Sequence, residues 1–314
     1  MKYKIVLVCC TNVGRSIIEL FLNNRKFKGI ELSGVLNLNH KHGLKKSNYD
    51  SYIDLKEKYG INVKYIKSIN DKSVYNWLKK IDPSIIIQSG WSQKFSKRIL
   101  DIPKFGCIGQ HPAPLPIGRG AACVNWAIIL GYKKWGDSFF IMDEKYDNGH
   151  IIGQHKFTIE PSDDVKTVYD KVCMTSKKIF SKNISNWVKG NFKKTKQNFK
   201  KIIYFKKRYP EDGEIDYLNE NNLVAHNKVR ALTKPYPGAF IMFGNKKLFI
   251  WKSRLLKKKN INYKNINNRL FVQKNMLILA LGKFSKSYLQ IQKFQINKFP
   301  ELNIQNISKY LELN

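Results

Sequence analysis

The chain has 314 residues, 43% of them apolar, which suffices for a sizeable core and leaves room for two domains. No apolar run approaches the roughly 18 residues of a membrane span, and the sparse, unpatterned cysteines (Cys9, Cys10, Cys107, Cys123, Cys173) argue against a disulfide framework or a zinc site. A formal charge of +34 points toward nucleic acid, yet only eight of the 57 basic residues are Arg, and the crowd of Lys, Asn and Ile is what an AT-rich coding sequence produces; both origins stay open, and an anionic small substrate would also gain from the field.

The first apolar run, "KIVLVCC" (4–10), gives way at once to polar "TNVGRS" with no small-residue cleavage site, so it reads as a core strand rather than a signal peptide and fits a cytoplasmic protein. Helical spacing follows in 14–24, then a strand in 31–38, a helix over 47–60 with a Gly stop, and a short strand at 62–67. His40 and His42 lack Cys or acidic neighbours and read as loop histidines, so no metal is expected. A capped helix at 71–81 leads into the fully apolar strand "DPSIIIQSG" (82–90), and a loop and helix at 90–106 precede the strand "CIGQH" (107–111). "NWAIILG" (125–131) is helical, 137–143 and 151–159 form a strand pair, and 162–190 is a long amphipathic helix with Asp163 and Asp164 in its first turn. Such alternation predicts an α/β, Rossmann-like, mainly parallel sheet with helices on both faces, over residues 1–188.

Residues 189–207 lose that rhythm, carry many lysines and read as a basic linker. The remainder, 208–314, shows one helix and then short alternating strands, a smaller mostly-β, barrel-like (OB-like) domain; the lysines at 257–259 read as a flexible hairpin. The first strand lacks the GxGxxG fingerprint, and no GxxxxGK[ST] occurs, so neither NAD binding nor a P-loop is expected.

"GCIGQHPAPLPIGRG" (106–120) is written for neither helix nor strand. It places His111 where a strand meets a Pro-Gly loop, and in open α/β sheets ligands bind at the strands' carboxyl ends. Thirty-six residues on, "DNGHI" supplies Asp147.

"HPAPLPIGRGAACVNWAIILG…DNGHI" resembles the pattern of the folate-dependent formyltransferases, H-x-S-L-L-P-x-x-R-G…P-x-x-W-A-I…G…D-x-G-x-I. The stretch 208–256 is similar to the carboxy-terminal domain of methionyl-tRNA formyltransferase and closer still to that of the enzyme formylating UDP-4-amino-arabinose. The resemblance implies the formyltransferase fold, 10-formyltetrahydrofolate as co-substrate, and transfer of formyl to a primary amine. His111 would donate to the carbonyl oxygen or shuttle the proton, and Asp147 would orient it. The pterin pocket would be built around Gln88, Gly90 and Trp91, Leu115, Ile141 and Asp143.

The family's third catalytic residue is an Asn two positions before the His, and that position here is Gly109. Gln110 is adjacent, but on a continuing strand its side chain faces the other way. Either a twist or bulge at Gly109 lets Gln110 reach in as a catalytic residue, or a backbone N–H or water replaces the amide, or the site is weakened. The short, mildly basic segment after the second strand resembles the sugar N-formyltransferases, which implies a nucleotide-linked amino sugar (UDP-, dTDP- or GDP-) as acceptor, a product for lipopolysaccharide, O-antigen or another surface glycan, and a homodimer. Asn12 and Arg15, at a helix start, would hold its diphosphate, with Arg119 as a further substrate or loop residue. Methionyl initiator tRNA is the second acceptor, and a non-catalytic sugar-nucleotide-binding or nucleic-acid-binding protein is the alternative from another class.

Overall fold

The computed structural model describes residues 2–24, 27–243, 246–257, 261, 269–283, 287–296 and 307. Strands β1 (Tyr3–Cys9), β2 (Ile30–Leu38), β3 (Val63–Ile66), β4 (Ile85–Ser89), β5 (Cys107–His111), β6 (Ile117–Gly120), β7 (Lys134–Ile141) and β8 (Ile151–Thr158) alternate with helices α1 (Asn12–Leu22), α2 (His40–Gly43), α3 (Ile53–Tyr59), α4 (Lys72–Ile81), α5 (Lys97–Leu100), α6 (Cys123–Ile129) and α7 (Val165–Trp187). Seven strands form one sheet in the order β3-β2-β1-β4-β5-β7-β8. Its first five are parallel, and β7 and β8 run antiparallel at one edge. The α/β expectation therefore holds, with the antiparallel pair falling where the sequence showed two strands without an intervening helix.

Period-two burial makes the two faces. Ile5, Leu7, Ile85, Ile87, Ile108 and Phe139 face Ile17 and Ile18 of α1 and Phe180, Ile184 and Trp187 of α7. Val6, Val8, Ile86 and Cys107 face Val74 and Leu78 of α4 and Ile99 of α5. Each fully buried aliphatic chain contributes about 1.5–3 kcal/mol relative to exposure, so a strand with two buried faces is read as a near-continuous apolar run. Asp164 caps α7, accepting from the N–H groups of Lys166 (2.9 Å) and Thr167 (3.0 Å); it precedes the helix rather than sitting in its first turn. His42 lies in the short α2 rather than a loop, its Nδ1 2.6 Å from Asn39 Oδ1.

Residues 189–207 do not behave as a linker. Thr195 bridges Ile151, Gln197 is buried, and β9 (Ile203–Phe205) pairs in parallel with β6. Gly120 is required there, since a Cβ would lie 2.4 Å from Phe205 O. The chain divides into two interleaved compact units, the first comprising 1–123, 134–158 and 169–206 and the second 124–133, 159–168 and 207–314.

The second unit holds α8 (Asn222–Leu232), β10 (Ala239–Phe243), β11 (Lys246–Leu256), β12 (Leu270–Gln273), β13 (Met276–Leu281) and β14 (Ser287–Ile296), an antiparallel sheet in the order β10-β11-β14-β13-β12. Asn221 caps α8 through Leu223 N–H and Val224 N–H, both 3.0 Å. The lysine-rich hairpin expected at 257–259 lies largely outside the described residues. Among the described residues, no helix is long and apolar enough to cross a membrane.

Candidate active site

Strands β1, β4 and β5 run in parallel, so their carboxyl ends bring Thr11–Asn12, Gly90–Trp91 and His111 to one edge of the sheet. His111 is buried. Its Nε2–H donates to Gly118 O at 2.7 Å, and its Nδ1 stands 3.6 Å from Asp147 Oδ1. Both ring nitrogens thus face acceptors, the arrangement of an imidazolium. Burial alone would push this histidine down. The Asp147 carboxylate, the Cys123 thiol that hydrogen-bonds it and the Gly118 carbonyl together outweigh burial, raising it to about 10. Cys123 Sγ also donates to Pro112 O at 3.3 Å, and it stands where the resembling pattern has Pro.

Asp147 sits in the 142–150 loop with left-handed backbone, φ 52°, which Asp tolerates better than most residues. Four contacts hold the loop. Asp147 Oδ2 accepts from Gly120 N–H (2.9 Å), and Gln197 Nε2 donates to the carbonyls of Asp147 (2.9 Å) and Gly149 (2.8 Å). Arg119 Nη1 donates to Asn148 Oδ1 (3.3 Å). Arg119 is itself almost wholly buried, its Nε and Nη2 both donating to Gln197 Oε1 (3.2 and 2.7 Å). It anchors the loop, and the substrate-binding expectation for Arg119 gives way to that role because its donors are committed within the protein.

Gln110 does not reach in. The strand continues without a bulge through Gly109, so Gln110 lies on the opposite face, where its Nε2 donates to Asp137 Oδ1 (2.5 Å) and its Oε1 accepts from Ser89 (3.1 Å). Ser176 of α7 donates to the other Asp137 oxygen at 2.5 Å. Burial pushes Asp137 up to about 7, against the lowering by Ser176 and Gln110. The catalytic expectation for Gln110 is therefore corrected. Nor is there room at Gly109 for another side chain, because a Cβ there would lie 2.5 Å from Phe140 Cζ and 3.1 Å from Met142 Cγ.

Arg15 is likewise committed elsewhere. Its guanidinium pairs with both oxygens of Asp50 (2.5 and 2.8 Å) and both of Asp54 (2.8 and 2.7 Å), which raises it and holds Asp54 down to about 2. A cation already facing two carboxylates is a poor diphosphate ligand, so that expectation is corrected too. Asn12 differs, since its Oδ1 is buried without a hydrogen-bond partner, as are Thr11 Oγ1 and Trp91 Nε1. Gly90, at φ 63°, lets these approach, for a Cβ would lie 1.9 Å from Thr11 Oγ1. Buried polar atoms are rarely left unpaired, and this edge holds three of them.

The remaining pocket residues are placed as follows. Gln88 Nε2 donates to Trp91 O (2.7 Å) and shapes the turn. Leu115 is buried, its N–H on Ser138 Oγ (3.1 Å) and its carbonyl accepting from Gln154 (2.9 Å). Ile141 ends β7 beside Gly149, and exposed Asp143 ties its own loop through Lys145 N–H (2.8 Å) and Asn148 (3.0 Å). Gln197 and Cys123 were missed from sequence; Gln197 lies in a stretch without periodic pattern, whereas the pattern's Pro replaced by Cys123 was a visible signal.

The sheet order, the His111–Asp147 pair and the Pro-Gly loop between them mark a candidate site at the carboxyl edge of an α/β sheet. Residues 38–184 match the formyl transferase family and 207–310 its C-terminal domain. The chain is 34% identical over 281 residues to the bifunctional polymyxin resistance protein ArnA of Wigglesworthia glossinidia brevipalpis, covering 90% of this chain but only 42% of that protein. It is 31% identical over 271 residues to a methionyl-tRNA formyltransferase of Clostridium botulinum, covering 83% of this chain and 82% of that one. The chain belongs to the formyl transferase family. Among solved structures, an N-formyltransferase from Helicobacter canadensis, in complex with folinic acid and dTDP-3-aminofucose, matches with a TM-score of 0.64 at 19% identity over 93% of this chain and 99% of that one, a likeness of fold.

Proposed function

We propose that the chain moves a formyl group from 10-formyltetrahydrofolate to the amine of a nucleotide-linked amino sugar, UDP-, dTDP- or GDP-, as a step toward a surface glycan such as lipopolysaccharide or O-antigen. The observation that carries the reading is the His111–Asp147 pair at the carboxyl edge of the sheet. When the amine attacks the formyl carbon, the Nε2–H of the charged imidazole, which rests on Gly118 O in the free chain, turns to donate to the oxyanion that develops. Asp147, fixed by Gly120 and Gln197, keeps the ring oriented and charged and takes up the proton the amine sheds. That proton passes to N10 of the folate as the C–N10 bond breaks, so the tetrahedral intermediate collapses to the formamide and tetrahydrofolate. With Gly109 bare and Gln110 turned away, no side chain from those two positions supplies a second oxyanion donor; a backbone N–H or a water is left for that part.

The unpaired Trp91 Nε1, Thr11 Oγ1 and Asn12 Oδ1 fit a ligand rich in donors and acceptors, as both the pterin and the sugar nucleotide are. The likeness to ArnA and the named ligands of the Helicobacter canadensis enzyme support the sugar acceptor. The methionyl-tRNA relative, covered over most of its length, and the lysine excess favour initiator tRNA as the second reading. A cytoplasmic homodimer is the expected working form. Mass spectrometry after incubation with 10-formyltetrahydrofolate and a panel of 3- and 4-amino sugar nucleotides, with methionyl initiator tRNA alongside, decides between them. Formylated sugar nucleotide supports the first reading; formylated tRNA alone replaces it with the second, whose acceptor binding would weaken steeply with salt.

A further inference from the structure

The segment 195–205 that holds Asp147 also carries an aromatic ledge. Phe199 is 53% and Tyr204 63% exposed, yet neither ring hangs loose. The buried Arg119 guanidinium lies 5.6 Å from the Phe199 centroid and 5.8 Å from that of Tyr204, and it donates to the Tyr204 hydroxyl at 3.2 Å. Two rings are thus fixed from beneath by a cation that also holds the Asp147 loop, while much of their surface faces solvent. The segment's own charge is one-sided: no acidic residue occurs between Asp170 and Glu211, and exposed Lys196, Lys200 and Lys201 neighbour the rings in the sequence. Asp143 and Asp147 belong to the loop that Arg119 and Gln197 hold.

We propose that this ledge is a docking subsite for the nucleoside diphosphate of the acceptor. The base stacks on Tyr204 with Phe199 beside it, and the lysines neutralise the diphosphate. The inference rests on the reading of the acceptor as nucleotide-linked. Two rings and three cations match one base and one diphosphate, and the link through Arg119 to the Asp147 loop couples the seat of the nucleotide to the catalytic pair. An aromatic ring beside an anionic tail also describes a folate, so the test separates the two.

Isothermal titration of the full chain with UDP and dTDP as probes, and separately with 5-formyltetrahydrofolate, provides that test. Tyr204→Ala, and Lys200→Ala with Lys201→Ala, weaken nucleoside diphosphate binding roughly tenfold or more. Tyr204→Phe keeps the ring and stays within about threefold of the parent, and all these variants bind 5-formyltetrahydrofolate as the parent does. The ledge is overturned if Tyr204→Ala binds the diphosphates like the parent, if Tyr204→Phe loses as much as Tyr204→Ala, or if folate affinity falls in step. A parent chain that binds neither UDP nor dTDP overturns the nucleotide-linked acceptor and the ledge with it.

Discussion

The ring of Phe140 fills the space that a side chain at Gly109 would need. The two residues face each other across the β5–β7 pair, and a Cβ on Gly109 would come within 2.5 Å of the ring. The missing amide and the aromatic ring opposite are therefore one feature. Replacing Gly109 by Asn forces the ring off its position, at about 1–3 kcal/mol for overpacking. Gly109→Asn alone is expected to lower the melting temperature. Combined with Phe140→Ala it is tolerated better than the sum of the two single changes, and it turns over faster than Phe140→Ala alone because an oxyanion donor has been restored. Thermal unfolding and kcat of the four proteins check this; strict additivity would show that the two positions are independent.

His111 titrates at about 10 because Asp147, Cys123 and Gly118 overcome its burial. Asp147→Asn removes the leading favourable cause and leaves burial opposed only by Cys123 and Gly118, so the histidine titrates lower than in the parent. For a histidine raised in the folded state, the stabilisation is full below about pH 6.5 and is lost as pH rises through about 10. The parent therefore loses stability across that window, and Asp147→Asn shows a flatter profile. NMR titration of the His111 ring, with unfolding at several pH values, measures both.

Asp137 has the opposite consequence for a carboxyl. Its folded value of about 7 exceeds the roughly 4 of the unfolded chain, so folding takes up a proton between those values and stability falls as pH rises through that window. Asp137→Asn flattens this part of the curve. Gln110→Ala leaves the buried carboxyl one donor short and costs about 1–3 kcal/mol, while kcat of the folded protein stays within a few-fold of the parent. A kcat loss of a hundredfold without loss of stability would return Gln110 to the catalytic set.

Arg15 tests the difference between a clamp and a ligand. Arg15→Ala frees Asp50 and Asp54 and lowers stability, because Asp50 N–H also closes onto Cys10 O at 3.0 Å and ties the 49–54 segment to the end of β1. UDP affinity of the folded variant is expected to match the parent; a tenfold loss on titration would make Arg15 a diphosphate ligand after all.

The sheet was legible because its strands are buried on both faces and read as unbroken apolar runs, from "KIVLVCC" to "SIIIQSG". His111 and Asp147 were legible from the loop between them and from the resemblance it carries. Arg15 was misread because pairing with Asp50 and Asp54 across 35 and 39 residues leaves no local pattern. Gln110 was misread because the strand stays regular at Gly109, where the sequence allowed a bulge. Lysine-rich composition hid the folded strap at 195–205, whose one buried polar residue, Gln197, stands among exposed lysines.

The central claim is that His111 and Asp147 transfer formyl from folate to an amine without the family's Asn. Single-turnover release of tetrahydrofolate, measured with 10-formyltetrahydrofolate and the accepting sugar nucleotide, tests it most directly in the parent, His111→Ala and Asp147→Asn. The account predicts amine-dependent release in the parent and a loss of at least a hundredfold in both variants, with 5-formyltetrahydrofolate binding retained. Release in the variants at the parent's rate would contradict it, as would a parent that binds folate and formylates no amine.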